Sequence, residues 1–465
     1  MIQDNRIRQA GRGLRGVSLW AMLLALGLSL GLAASAAAAS LADRVSETTL
    51  SNGLKVLILE EPKAPVATVQ VWYKVGSRNE PIGKTGLSHM LEHMMFKGTP
   101  AVTGKEFDAR ITRNGGVSNA ETQRDVSGYY EDFAADRVLL GLELEADRMA
   151  SLKNDQQEFL SEQKVVAEER RLRIEDQPGN VLGEVMRATA FLAHAYKWPT
   201  IGWPSDIDAW TREDLVQHYR LYYAPNNATL VVAGDVKKDA VLPKIQTLFG
   251  SIPRQPDPPK VITQEPPQIG ERRVYVRKEA ELPVLFAVHH VPNLTHPDSF
   301  ALRVLSYILG GGESARFYQK AVYEKQVASY AGADYNPVYA DPFLFGFSGF
   351  PLPGKTAEEV EQVLVAEVER LIKEPIPDRE LQKAKNQIEA EFVFEQDSVH
   401  KLANLLGRYE AVASWKLLDG FVDSVRKVSA ADVQRVAKQY LSQDNRTVAI
   451  LIPVNPGSAA AGSGK

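Results

Sequence analysis

Two histidines and a glutamate stand together at a spacing that suits metal-assisted hydrolysis. His89 and His93 are four residues apart, so on a helix they share one face and two imidazole nitrogens can meet one ion. Glu92 precedes the second histidine, where it can reach a water molecule without being a ligand, as a general base must. His-x-x-Glu-His is the inverzincin pattern. An apolar helix has no structural use for these three side chains, because burying them unpaired costs several kcal/mol.

A third ligand has to come from elsewhere, because hydrolytic zinc sites usually have three protein ligands and an open position. The chain contains no cysteine, which leaves histidine and carboxylate as ligands. The charged helical stretch 162–171 offers candidates: Glu162 and Glu169 are seven apart and share a face, whereas Glu168 points about a hundred degrees away. Taken alone, this stretch is typical of a solvated helix with ion pairs.

Three linked motifs resemble the pitrilysin/insulinase family of zinc peptidases, which includes the mitochondrial processing peptidases. They are His89-x-x-Glu92-His93, the block at 114–130, and Glu162-x-x-Val165-Val166-x-x-Glu169, and the resemblance spans most of residues 45–455. It implies one zinc ion per chain, held by a set of three ligands, with one general base and one supporting carboxylate, and an edge strand that holds the substrate backbone. Matched by position, these are His89, His93 and Glu169 as ligands, Glu92 as base, Glu162 as supporting carboxylate, and Asn119 and Ala120 on the edge strand.

The composition is that of a soluble globular protein with ample core. Of its residues, 44% are hydrophobic and 24% are charged. The length of 465 residues exceeds that of one ordinary domain. A formal charge of −4 provides no basic surface, so nucleic acid is not expected as a partner.

The first 39 residues have the order of a secretory signal. Four arginines lie within residues 1–16, an uncharged Leu/Ala-rich stretch follows, and small residues end it near Ala39. We therefore expect cleavage near Ala39 and a periplasmic protein. The alternative is an uncleaved membrane anchor, because the uncharged stretch is long enough to span a bilayer.

Hydrophobic periodicity predicts the elements around the motif. Residues 54–59 and 66–73 are β-branched and alternating, which predicts strands, and 139–152 has the period of an amphipathic helix. A helix is expected over 162–171, followed by a loop near 176–179 and a long helical stretch to about residue 196.

An internal repeat with an offset of 218 residues indicates two related copies. Thr211-x-x-Asp214 recurs as Ser429-x-x-Asp432, and Tyr222, Asn227 and 229–232 recur as Tyr440, Asn445 and 447–450. We predict an α+β fold with two homologous domains, each a mainly antiparallel sheet covered by helices. The predicted divisions are the signal peptide 1–39, a first domain 45–252 with the zinc site, a Pro-rich linker 253–271, a second non-catalytic domain 272–455, and a flexible tail 456–465. Few core contacts are expected to cross the linker.

The same offset places Tyr307, Gly310 and Gly311 where the first copy has His89, Glu92 and His93. The second copy has therefore lost the metal site. The resemblance implies that this half closes over the substrate with an Arg and a Tyr. Arg316 matches the Arg, and Tyr330 is the candidate Tyr, although this chain has Ser-Tyr where the family usually has Tyr-Ser.

The function expected from these observations is a zinc metalloendopeptidase that acts outside the cytoplasm on peptides or unfolded segments. A non-catalytic scaffold subunit is the alternative, against which the retained site residues argue. A lyase with the same histidine motif requires a cysteine, which this chain lacks. The resemblance also implies that a two-domain chain pairs with a second one, as a homodimer or as a heterodimer with a related inactive subunit.

Overall fold

The computed structural model describes residues 41–454. The predicted signal peptide and tail lie outside these residues. Leu41–Arg44 is one short helix, and the compact unit that contains both sheets begins at Val45. Between residues 41 and 454, no helix has the length and apolar character required to cross a membrane.

The first domain is built on a six-stranded sheet whose spatial order is β1-β2-β6-β3-β5-β4. Only β2 and β6 pair in parallel, and the other neighbours are antiparallel. Both predicted strands are confirmed, as β2 and β3. The strands are β1 Val45–Thr49, β2 Lys55–Glu60, β3 Val66–Tyr73, β4 Val117–Thr122, β5 Ser127–Ala134 and β6 Ala228–Gly234.

Eight helices follow in this part of the chain, and three of them, α1, α2 and α3, contact the first sheet. The predicted amphipathic helix over 139–152 is confirmed as α3. The helices are α1 Leu87–Met94, α2 Gly104–Arg113, α3 Val138–Ser151, α4 Gln156–Arg170, α5 Pro178–Ala190, α6 Pro204–Ala209, α7 Arg212–Tyr222 and α8 Lys238–Phe249. A π-helical segment, Arg171–Glu175, continues α4.

The long helical stretch predicted to reach residue 196 is wrong beyond Ala190. The chain turns extended at Phe191, and Glu265 of the linker region accepts hydrogen bonds from the backbone N–H groups of residues 192–194 at 2.6–2.9 Å. Because a carboxylate satisfies these donors, the backbone has no need of helical carbonyls here. A distant residue ends the helix, which local periodicity cannot reveal.

The second domain repeats the plan with a five-stranded sheet of order β7-β11-β8-β10-β9, in which β7 and β11 are parallel. Residues 253–269 of the linker form neither helix nor strand. The strands are β7 Arg272–Glu279, β8 Val284–Val291, β9 Ala328–Tyr335, β10 Phe343–Pro351 and β11 Arg446–Val454. The helices are α9 Ser299–Gly310, α10 Ala357–Lys373, α11 Asp378–Phe394, α12 Val399–Val412, α13 Phe421–Lys427 and α14 Ala430–Tyr440.

The predicted repeat is visible in the structure, and the predicted fold class is confirmed. An offset of 218 carries the bounds of β3 onto those of β8, and the bounds of α7 onto those of α14. Even single contacts recur: the Asn227 amide donates to the carbonyl of Tyr222 at 2.9 Å, and the Asn445 amide donates to the carbonyl of Tyr440 at 2.8 Å. The chain is therefore α+β, with two homologous domains.

One helix of each domain packs on the sheet of the other domain. This contradicts the expectation that few core contacts cross the linker. Helix α12 of the second domain packs on β3 and β6 of the first sheet, whereas α5 packs on β7 and β11 of the second. Gly407 of α12 lies directly against Trp72, and the Gln70 amide donates to the carbonyl of His400 at 3.1 Å. The linker is thus a covalent connection between domains that are also interlocked.

Candidate metal centre

Helix α1 carries the histidine motif and is fixed at its beginning by a buried carboxylate. Glu80 accepts hydrogen bonds from the backbone N–H groups of Gly86 and Ser88 at 2.6 and 2.7 Å, which satisfies donors that an α-helix leaves free. Gly86 has a φ of +88°, and a side chain there would collide with the carbonyl of Ile201. The start of the helix therefore requires a carboxylate at position 80 and a glycine at position 86.

The remaining residues of α1 decide which face carries the chemistry. Met90, Leu91 and Met94 are buried in the core of the first domain. His89 and His93 lie on the opposite part of the helix, with side chains 12% and 21% exposed, and their rings are 4.8 Å apart. Burial of the apolar face thus aims both imidazoles at one partly solvated spot.

Helix α4 packs against α1 and brings two carboxylates to that spot. Glu169 Oε2 lies 3.7 Å from His89 Nε2 and 3.3 Å from His93 Nε2. Two helical turns before Glu169, Glu162 Oε2 lies 3.1 Å from His93 Nδ1. Glu168 instead is exposed and pairs with Arg171. The structure therefore brings His89, His93 and Glu169 together and places Glu162 beside His93 Nδ1. Glu162 and Glu169 share one face of α4, as their spacing predicts.

The donor set fits zinc. One atom from each of His89, His93 and Glu169 lies within 4.8 Å of the others, which is the spacing of groups around one ion, and two imidazoles with one carboxylate form a common hydrolytic zinc site. Glu162 beside His93 Nδ1 supplies the outer carboxylate that orients a ligating histidine. His89 Nδ1 is buried without a hydrogen-bond partner among the described residues.

Electrostatics within the cluster depend on burial and on mutual contacts. Burial lowers the pKa of His89 to about 4, and the neighbouring charge of His93 acts in the same direction. Burial also acts to lower the pKa of His93, but hydrogen bonds with Glu169 and Glu162 outweigh it and leave that pKa raised. The hydrogen bond from His93 lowers the pKa of Glu169. The cluster thus concentrates negative charge on Glu169 facing two imidazoles.

Glu92 has the surroundings of a proton acceptor. Burial raises the pKa of its carboxyl group, and a hydrogen bond with Thr122 of β4 opposes that rise. Its Oε2 is buried and has no hydrogen-bond partner within residues 41–454. Glu92 is not one of the three clustered donors, so one of its oxygens stays available to a small reactant.

The predicted substrate-holding strand exists and lies at the edge of the sheet. Within residues 41–454, β4 pairs with β5 alone and so forms one edge of the sheet, and it packs against α1. Asn119 is exposed and accepts the N–H of Ala120 at 2.9 Å, while Ala120 leans on the domain core. The role of both residues in substrate binding stays a prediction.

The two candidate contacts of the second domain lie in different surroundings. Arg316 is 7% exposed and its guanidinium is held by Glu380, at 2.9 Å from Nε and 2.7 Å from a terminal nitrogen. Tyr330 is 45% exposed on β9 and its ring lies 5.4 Å from that of Phe350. Tyr330 is accessible to a ligand, whereas Arg316 is engaged in an ion pair. Their substrate contacts stay predictions.

At the counterpart of Glu92 in the second domain, the backbone of β9 leaves no room for a side chain. A side chain at Gly310 would place its Cβ 2.0 Å from the backbone nitrogen of Ala333 on β9. Gln387, which the offset matches to Glu169, donates to the carbonyl of Gly311 at 3.1 Å. The glycine at the position of Glu92 therefore lets α9 approach the sheet, and a carboxylate has no space there.

Sequence reasoning missed three residues around the centre. Lys97 Nζ lies 2.5 Å from Glu162 Oε1, Arg173 lies 3.0 Å from Glu169 Oε1, and Thr122 bonds Glu92. Arg173 stands four residues after Glu169, a spacing that predicts a helical ion pair. Lys97 and Thr122 reach the site through tertiary packing, so spacing along the chain contains no signal for them.

Two family models match consecutive parts of the chain. Residues 55–202 match the family Insulinase (Peptidase family M16), and residues 209–388 match Peptidase M16 inactive domain. The first match contains the histidine motif and Glu169, and the second contains Tyr307, Gly310 and Gly311, the counterparts of His89, Glu92 and His93.

Relatives align with nearly the whole chain. A Helicobacter pylori protein named Zinc protease PqqE is 36% identical over 409 residues, covering 87% of this chain and 92% of that protein. An Arabidopsis thaliana protein named as a probable mitochondrial-processing peptidase subunit beta is 27% identical over 419 residues, covering 88% and 78% respectively. The crystal structure of a protease from Helicobacter pylori superposes with a TM-score of 0.85 at 35% identity, covering 88% of this chain and 99% of that one.

The two interlocked α+β domains with one His-His-Glu cluster define a two-domain peptidase fold of the inverzincin type. The chain belongs to the insulinase family, peptidase family M16. The resemblance drawn from the three motifs is thereby confirmed.

Proposed function

We propose that this chain is a zinc-dependent metalloendopeptidase that hydrolyses peptides or unfolded protein segments, with one zinc ion per chain. The observation that supports this most is the arrangement of Glu92, whose unpartnered oxygen is buried beside a cluster of two histidines and one carboxylate. The names of the relatives, zinc protease and processing peptidase, point to the same chemistry.

In this proposal each side chain has one task. His89, His93 and Glu169 hold the zinc, and a zinc ion in such a site supplies Lewis acidity for a peptide carbonyl and for water. Glu92 accepts the proton of the attacking water and returns it to the leaving amine. Glu162 orients His93 through Nδ1, and Lys97 keeps Glu162 in place. Strand β4 binds the substrate as an added strand through main-chain hydrogen bonds, which favours loose sequence preference.

The test separates the base from the ligands. Glu92→Gln keeps the shape and removes the proton acceptor, so peptide hydrolysis should fall by about two to four orders of magnitude while zinc stays bound. His89→Ala should lose the zinc in elemental analysis. Glu168→Gln is the matched control, because this exposed glutamate next to Glu169 points away and should leave both quantities unchanged.

Three results would contradict the assignment. They are hydrolysis at the wild-type rate in Glu92→Gln, stoichiometric zinc in His89→Ala, and wild-type protein that holds zinc yet cleaves no unfolded protein or peptide library. The last result would favour the non-catalytic scaffold subunit.

We also propose that the chain works in the periplasm and with a second chain. The support for export is the basic, apolar and small-residue order of residues 1–39. Fractionation of the native host with N-terminal sequencing distinguishes a mature protein that begins near Ala39 from one anchored by the uncleaved segment. The support for pairing is the likeness to a processing peptidase subunit and to the inactive-domain family. Native mass spectrometry distinguishes a homodimer from a heterodimer with an inactive relative.

A further inference from the structure

A cavity of about 810 Å³ opens in the second domain, between α9, β9, α11 and α12. We call it the second-domain cavity. Tyr307 and Gly311, the counterparts of His89 and His93, both line it. Its wall is rich in charge, although no catalytic role has been assigned to any of these groups. The charged members are Arg303, Asp334, Glu391, Glu395, Lys401 and Arg408, with His400 beside them.

Part of this charge is already paired. The Arg303 guanidinium lies 3.2 Å from Glu391 Oε2, and the Tyr307 hydroxyl donates to the same carboxylate. His400 Nδ1 lies 3.0 Å from Asp132 Oδ2 on the first sheet. These groups form the fixed frame of the cavity.

Two cations of the wall remain without an anion. Lys401 and Arg408 are seven residues apart on α12 and therefore share a face. Neither forms an ion pair with a carboxylate anywhere in residues 41–454, and the guanidinium of Arg408 donates only to the amide oxygen of Gln123, at 3.3 Å. Glu395 is a half-buried carboxylate close to them: burial and the charge of Glu391 raise its pKa, and the charges of Arg303, Arg408 and Lys401 oppose that rise. The cavity thus presents two cations without an ion pair, together with the carboxylates of Glu395 and Asp334, which also form no ion pair within residues 41–454.

The helix that carries these cations also contacts the proposed substrate strand. The Asn404 amide lies 3.5 Å from Glu121 Oε1 on β4, and Arg408 bonds Gln123 directly after β4. A ligand of the cavity and a peptide lying along β4 would therefore touch the same helix.

We propose that the second-domain cavity is a peptide-binding site that takes the carboxyl-terminal end of a peptide, with the α-carboxylate between Lys401 and Arg408. Guanidinium and ammonium groups are the donors that bind carboxylates, and Glu395 is placed to accept the N–H of the last peptide bond. Cavities of roughly 300–1,000 Å³ hold small ligands, so the space suits a few terminal residues. The choice of a peptide as the ligand rests on the proposed peptidase function.

The experiment measures binding without turnover. The full chain carrying Glu92→Gln is stripped of metal with a chelator, so that neither hydrolysis nor a metal–carboxylate bond contributes. Fluorescence anisotropy then compares an N-terminally labelled tetrapeptide that has a free carboxylate with the same peptide as its carboxamide. We expect the acid to bind at least tenfold more tightly. In the double variant Lys401→Gln with Arg408→Gln this preference should disappear. The double variant Arg379→Gln with Lys438→Gln, which removes two exposed helical cations elsewhere, should retain it.

Equal affinity for the acid and the amide would overturn the proposal, and so would an unchanged preference in the cavity variant. Displacement of the peptide by inorganic phosphate at an equal concentration would do the same, because it would reduce the site to a general anion site. Each of these results leaves the hydrolysis test with Glu92→Gln untouched, so failure of the cavity and failure of the peptidase function are distinguishable.

Discussion

Gly407 lets α12 lie directly against Trp72 of the first sheet, and Gly407→Ala tests this contact between the domains. A Cβ at this position of α12 would lie 2.1 Å from Cδ1 and Nε1 of Trp72, far inside contact distance. Trp72 has little room to retreat, since its ring packs so closely on Gly128 that a Cβ there would lie 2.7 Å from Cζ3, and its Nε1 donates to Gln70 Oε1 at 3.1 Å. The helix has to move away from the first sheet instead.

The magnitude follows from two opposing effects. Overpacking of a close-packed contact costs about 1–3 kcal/mol. Replacing glycine by alanine inside a helix stabilises it by about 1 kcal/mol. Because Trp72 is clamped, the cost should lie at the upper end, which leaves a net loss of about 2 kcal/mol. For a chain of this length that lowers the melting temperature by roughly 2 °C, so the midpoint of urea unfolding is the more sensitive measure.

The matched control is Gly183→Ala in α5, the helix that the first domain lends to the second. Its Cβ would meet only the flexible guanidinium of Arg187 at 3.3 Å and the ring of Phe286 at 3.9 Å. This variant should be as stable as the wild type or slightly more stable. If Gly407→Ala unfolds at the same urea concentration as Gly183→Ala, the contact between α12 and Trp72 does not hold the domains together, and the reasoning fails.

Two further substitutions probe buried carboxylates of the first domain. Arg148 is 2% exposed and donates hydrogen bonds to Glu145 at 2.9 Å and to Glu131 at 2.8 Å. Arg148→Met leaves two buried carboxylates without their cation and should lower the free energy of unfolding in urea by about 3–5 kcal/mol. A loss below about 1 kcal/mol would show that these carboxylates are neutral. Glu162→Gln removes the carboxylate beside His93 Nδ1 and should weaken zinc binding about 10–100-fold in competition with a chelator, and an unchanged affinity would deny Glu162 its orienting role.

The histidine helix and the repeat could be predicted from sequence because both are local patterns. His89 and His93 share a face through helical spacing alone, and Glu169 was identified through the family motif around it. The repeat offset of 218, read from motifs elsewhere in the two halves, also relates the bounds of β3 to those of β8. Such patterns can be read from the sequence without knowledge of the tertiary arrangement.

Contacts between distant elements could not be predicted in this way. Thr122 and Lys97 meet their carboxylates only because β4 and α4 pack against α1. The early end of α5 depends on Glu265, more than seventy residues later. In each case the deciding partner lies on an element whose position has no signature in the local sequence.

The exchanged helices explain why a linker rich in proline does not mark separable domains. A sheet with two apolar faces needs cover on both, and in each domain the second cover comes from the other half of the chain. A chain ending near Pro253 would keep all three candidate ligands but expose Trp72 and the outer face of β3 and β6 to water. Burial of such surface stabilises a fold by about 25 cal/mol per Å², so the first domain alone loses stability as well as the opposite wall of the site. Loss of peptide hydrolysis in that fragment would therefore report unfolding, unless circular dichroism and stoichiometric zinc show that the first sheet stays folded without α12.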